Sequence, residues 1–150
     1  MSRDDDQPGL RLRLTHASRR IAGQHDYLDA LVASTLRALE RNTPAEAREG
    51  LEGFAGALDA HFALEEQLHF PALHGLRPEV APEIEALMVE HRALRARVRG
   101  LGERVGREPR DEVTREFVGL ADTLRDHESR EEQLFASIEP APEPPPRGSA

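Results

Sequence analysis

The chain contains no cysteine, no tryptophan and no lysine, and a single tyrosine. Without cysteine there are no disulfides, thiolate zinc sites, iron–sulfur clusters or cysteine nucleophiles. Any chemistry must therefore use histidine, carboxylates or hydroxyls. The 20 basic residues are all arginine, spread among 28 acids for a net charge of −8, so no basic stripe follows a phosphate backbone and nucleic acid is not an expected partner. No apolar run approaches the roughly 18 residues that cross a bilayer, and the opening MSRDDDQPG is acidic where a signal peptide would be basic and then apolar. The expectation is a soluble, cytoplasmic protein with no membrane partner.

What is present is one domain's worth of chain. Of its 150 residues, 34 are Leu, Ile, Val or Phe, enough to build a core only if some segments stay outside it. Residues 1–15 read as a flexible N-terminal tail and 139–150, rich in proline, as a disordered C-terminal tail. Between them, over 16–138, apolar residues recur at spacings of three and four with no alternating strand pattern. Four helices are expected. The first, about 16–41, carries Ile21, His25, Leu28, Val32, Thr35 and Leu39 on one stripe, and Thr43–Pro44 forms an N-cap and first helical residue for the second. The second, about 44–70, carries Leu51, Phe54, Leu58, His61, Glu65 and Leu68 and ends at Pro71, before a loop of roughly ten residues. The third, about 82–105, carries Ile84, Leu87, His91, Leu94, Val98, Leu101 and Val105. The fourth, about 110–138, carries Val113, Phe117, Leu120, Leu124, His127, Glu131, Leu134 and Ile138. An all-α, up-down-up-down antiparallel four-helix bundle is the natural architecture.

One histidine lies on each core stripe: His25, His61, His91 and His127. Successive pairs centre on positions 43, 76 and 109, each in an expected inter-helix connection. Residues equidistant from the turn of an antiparallel hairpin lie at equal height, so the four imidazoles should form one layer. Glu65 and Glu131 each follow a histidine by four positions, about 6 Å along the axis. They should face each other beside that layer. The pattern repeats at an offset of 66 residues, relating His25 to His91, His61 to His127 and Glu65 to Glu131. Four histidines and two carboxylates about an approximate two-fold axis suit a pair of metal ions. A lone histidine on an apolar stripe is usually a satisfied core residue. Six polar groups in adjacent core layers would each cost about 1–3 kcal/mol unless paired. The alternatives to a metal pair are a fully paired His–Glu network without metal and a zinc-stabilised structural bundle.

The order His, His-x-x-x-Glu, His, His-x-x-x-Glu resembles the haemerythrin-like, or HHE cation-binding, family across 16–138. The resemblance implies a non-haem centre of two iron ions, oxo- or hydroxo-bridged and carboxylate-bridged, inside a four-helix bundle. Carried over residue by residue, it makes His25, His61, Glu65, His91, His127 and Glu131 the metal ligands. Oxygen-carrying haemerythrins add a fifth histidine one turn from the third-helix ligand, where this chain has Leu87 and Arg95. The chain resembles instead the four-histidine bacterial branch and the iron- and oxygen-sensing F-box haemerythrin domains, so the resemblance does not imply stable oxygen carriage. It implies a small diatomic or peroxide as partner, and leaves open two roles: a binding or sensing module, or an oxidoreductase acting on peroxide or nitric oxide. A ferritin-like ferroxidase would want four Glu and two Glu-x-x-His pairs, which this core does not offer.

Other residues carry weaker expectations. His69, one turn beyond Glu65, is a candidate ligand or access residue set against a helix-end histidine. His16 and His74 should be solvated. Glu66, Glu128 and Glu132 are surface or supporting residues, with Glu128 adjoining a candidate ligand. Tyr27 should pack, and Arg95 should lay its stem along the bundle.

Overall fold

In the computed structural model the described residues are 7–41, 43–137 and 148. The proline-rich segment expected to be a tail, and Ile138, lie outside them apart from Gly148. Helix α1 spans Gln7–Arg41, α2 Pro44–Leu64, α3 Phe70–Leu76, α4 Ala81–Arg104 and α5 Arg110–Ala136. A π-helical turn, Glu65–His69, joins α2 to α3, so the two form one continuous rod. Helices α1 and α4 each pack against both α2 and α5, closing a four-membered ring of neighbours around the core. No strand occurs among the described residues. None of their helices is long and apolar enough to cross a membrane.

The connections follow from local chemistry. Thr43 caps α2, its side chain accepting from the Glu46 N–H at 3.3 Å, and Pro44 opens the helix where a missing N–H costs nothing. After α4, Gly106 adopts φ 83°, the left-handed turn that glycine tolerates. The Arg48 guanidinium ties that turn to α2 by donating to the Val105 carbonyl at 2.7 Å.

Three expectations change. First, α1 begins at Gln7, well inside the segment read as a tail. Leu14, fully buried, and Ala17 extend the stripe of Ile21 by two more turns, a signal hidden by the arginines around them. Second, Pro71 does not end the second helix. Phe70 donates its N–H to the Glu65 carbonyl, five residues back, and Pro71 then falls in the first turn of α3, where no helical N–H is required. The expected ten-residue loop shrinks to Arg77 and a 3-10 turn at Pro78–Val80. Third, the π-turn inserts one residue into the periodicity. Leu68, placed on the core stripe by a regular helix, is 53% exposed, and His69 takes the inward position.

The apolar core is divided. One cluster gathers Phe54, Leu58, Phe62, Leu94, Leu101, Phe117 and Leu124 with their neighbours; the other gathers Leu14, Ile21, Phe70, Leu73, Ile84, Leu87 and Phe135. Between them lies the polar layer. Leu134 is half-buried against the second cluster, while Phe135 beside it is fully buried.

Candidate metal centre

α1, α2, α4 and α5 each contribute one imidazole to this layer, and His25, His61, His91 and His127 are all 5% exposed or less. The His25 and His61 rings lie 5.0 Å apart and those of His91 and His127 4.8 Å apart, giving two pairs. His91 is held between two phenylalanines, stacked on Phe62 at 3.8 Å and on Phe70 at 5.6 Å. The π-turn places Glu65, and α5 places Glu131; both are completely buried.

Each imidazole has an outward and an inward nitrogen. The outward Nδ1–H of His61 donates to Gln24 Oε1 at 2.6 Å, that of His91 to Glu66 at 3.0 Å, that of His127 to Glu90 at 2.7 Å and that of His25 to Glu132 at 2.9 Å. An amide or carboxylate oxygen can only accept, so Nδ1 carries the proton. When such a ring is neutral it presents an Nε2 lone pair to the centre. Every acceptor comes from the helix next door and adjoins one of that helix's own inward residues. The support therefore runs around the ring from α1 to α2, α4, α5 and back to α1. Arg95 fixes one link, bonding Asp59 at 3.1 Å and Glu66 at 3.4 Å while lying 5.3 Å over the Phe62 ring.

The inward atoms converge. One donor atom from each of His25, His61, Glu65 and Glu131 lies within 4.8 Å of the others, as does one from each of His91, His127 and Glu131. Glu131 belongs to both groups and Glu65 to the first alone. His91 Nε2 reaches Glu131 at 3.2 Å, and His127 Nε2 also contacts that carboxylate. His61 Nε2 lies 2.5 Å from Glu65 Oε1, and His25 Nε2 3.5 Å from Glu131 Oε2. Despite this crowding, Nε2 of His25, His61 and His127, both Glu65 oxygens and Glu131 Oε2 are buried without a hydrogen bond. Orphaned inward atoms beside fully bonded outward ones are what a cation site requires.

The electrostatics agree. Burial, with the neighbouring Glu131 charge next, pushes the Glu65 carboxyl far up. Glu131 stays ionised well below its ordinary range, because the facing Glu65 carboxyl and the imidazoles of His127, His25 and His91 outweigh its burial. Burial works against a charged His25, but the facing Glu131 and Glu132 carboxylates raise it to about 9. His61, held by an uncharged amide, is lowered to about 3 by burial, with the neighbouring histidines adding to the effect. The two carboxylates thus compete for one negative charge until positive charge sits between them.

All six residues named from the sequence come together. Gln24 and Glu90 were missed, although the signal was present: the 66-residue repeat also relates Gln24 to Glu90 and Glu66 to Glu132. Glu66 and Glu132 are the supporting residues expected of them. Glu128 is buried beside the layer but joins neither donor group, and burial raises its carboxyl to about 7 despite the nearby His25. His69 is buried outside both groups. His16 and His74 are exposed as expected. Tyr27 does not pack: it is 60% exposed, on the outer face of α1.

An all-α bundle with a buried layer of histidines and carboxylates defines a helical metal-binding domain. The sequence model of the Hemerythrin HHE cation binding domain matches residues 16–138, and the chain belongs to that family. No curated protein and no solved structure matches the chain.

Proposed function

We propose that this is a non-haem di-iron protein of the four-histidine kind that binds or reacts with oxygen, peroxide or nitric oxide. The observation that carries the reading is the position of Glu131, shared by two donor groups most of whose inward atoms lack hydrogen bonds. Such a carboxylate suits a bridge between two ions, with His25, His61 and Glu65 serving one and His91 and His127 the other. Imidazole and carboxylate donors without thiolate suit iron. Bound iron would supply redox chemistry and positions open to a small ligand. The chain's own part is to orient four rings through Gln24, Glu66, Glu90 and Glu132, and to keep water out with the two apolar clusters. The test is metal analysis and an absorption spectrum of the aerobically purified protein, followed by titration with peroxide. Two irons per chain are expected; one zinc and no iron would overturn the reading. Catalytic consumption of peroxide that His61→Ala abolishes identifies an oxidoreductase, and a single spectral change without turnover identifies a binding or sensing module.

A further inference from the structure

The π-turn spends an apolar residue to bury a polar one. It leaves Leu68 53% exposed and turns His69 inward until the ring is 3% exposed, edge-on to Phe135 at 6.4 Å, with Nε2 buried and without a hydrogen-bond partner. Departures of this kind from helical register concentrate at functional positions. His69 also lines a cleft of about 600 Å³ between the N-terminal half of α1 and the π-turn. The other polar residues lining it are Arg13, His16, Arg19 and Arg20, and no carboxylate does so among the described residues. None of those three guanidiniums has an ion-pair partner among the described residues, although the chain carries a net charge of −8. Acids are plentiful elsewhere on the surface, so a cleft that gathers cations around one unsatisfied buried imidazole is a local inversion of the protein's charge.

We propose that this cleft binds a small inorganic anion, with the His69 imidazole as buried hydrogen-bond donor and Arg13 and Arg20 as the charged clamp. A neutral imidazole has one N–H to give, and arginine adds a planar fork suited to an oxyanion. The exposed arginines concentrate the anion, and His69 selects one small enough to reach the floor formed with Leu14 and Ala17. The anion site stands without any metal.

The test is a nitrate titration of the full-length, as-purified protein, following the side-chain nitrogen resonances of His69 and Arg20. Metal content is measured on the same samples. Saturable shifts at both residues are expected. Arg20→Gln should weaken binding about tenfold, as for one charged hydrogen bond, and His69→Leu should abolish it with metal content unchanged. His69→Gln, which keeps a donor, should retain part of it and guards against a folding defect in the leucine variant. Shifts that rise with ionic strength without saturating, or binding that survives His69→Leu, overturn the proposal. So does tight binding to anionic lipid vesicles with no response to nitrate. If the protein holds no iron yet binds nitrate through His69, the di-iron reading fails and the anion site stands.

Discussion

Gln24 and Glu90 hold the outward nitrogens of His61 and His127 at 2.6 and 2.7 Å from equivalent places in the two halves of the chain, one as an uncharged amide and the other as a carboxylate. The internal repeat is thus broken by one charge at the point where it reaches the imidazoles. A carboxylate makes the ring it holds a stronger donor to a cation than an amide does.

Glu90→Gln should therefore weaken metal retention about tenfold or more, within the range usual for supporting residues, while Gln24→Glu should hold metal at least as well as the native chain. Competition with a chelator measures both. Equal loss in the two variants would show that the outer acceptors act only through packing.

Glu131→Ala should lose most bound metal, because it removes the one carboxylate common to both donor groups. Glu132→Ala should weaken binding less, since Glu132 acts only through the His25 Nδ1–H at 2.9 Å. Metal analysis after gel filtration distinguishes them, and the same content in both would contradict the register of α5.

Leu68→Gln should change stability by less than about 0.5 kcal/mol, as for a surface site, whereas Phe70→Ala should cost about 3–5 kcal/mol. Urea denaturation gives both values. A regular α-helix through 65–69 would bury Leu68, and a large loss in Leu68→Gln would then replace the small one.

The metal-free protein should be most stable between pH 4.5 and 6.5. Below 6.5 the unfolded chain protonates His61, which burial keeps neutral in the fold down to about 3, and this loses stability as the pH falls. Above 4.5 the unfolded chain ionises Glu65, which stays protonated in the fold, and this loses stability as the pH rises. Between the two ordinary values these effects cancel, and the loss from Glu128, raised to about 7, is opposed there by the lowered His69. Above 6.5, the raised His25 at about 9 and the raised His127 add to the alkaline loss; below 4.5, the depressed Glu131 adds to the acid loss. Thermal melts of the chelator-treated protein across this range should trace the plateau, and a steady rise through neutral pH would contradict these charge states. The metal-bound form should melt higher throughout neutral pH.

The helical bundle and the six inward residues were legible because equal spacing about each turn sets helical height, and that arithmetic needs no side-chain geometry. The π-turn was not legible. A stripe read at period 3.6 runs smoothly through Leu68 toward Pro71, and the signal for a bulge is the proline itself, which normally ends a helix. Leu14 was lost for a different reason: one apolar residue among arginines has too little local pattern to announce a helix, and only its partners Phe70, Leu73 and Phe135 on other helices explain its burial. Gln24 and Glu90 were overlooked because they face the neighbouring helix, a direction that a single helix's apolar stripe does not record.

The ring of supporting hydrogen bonds also locks the two hairpins to each other. Gln24 to His61 and Glu90 to His127 are each a link inside a single helical hairpin, the first and the second respectively; Glu66 to His91 and Glu132 to His25 pass from one hairpin to the other. Two copies of the second hairpin placed about a two-fold axis would supply every imidazole, both inward carboxylates and all four outer acceptors. In the chain as it stands, Gln24 is the acceptor at which the two hairpins cease to be interchangeable.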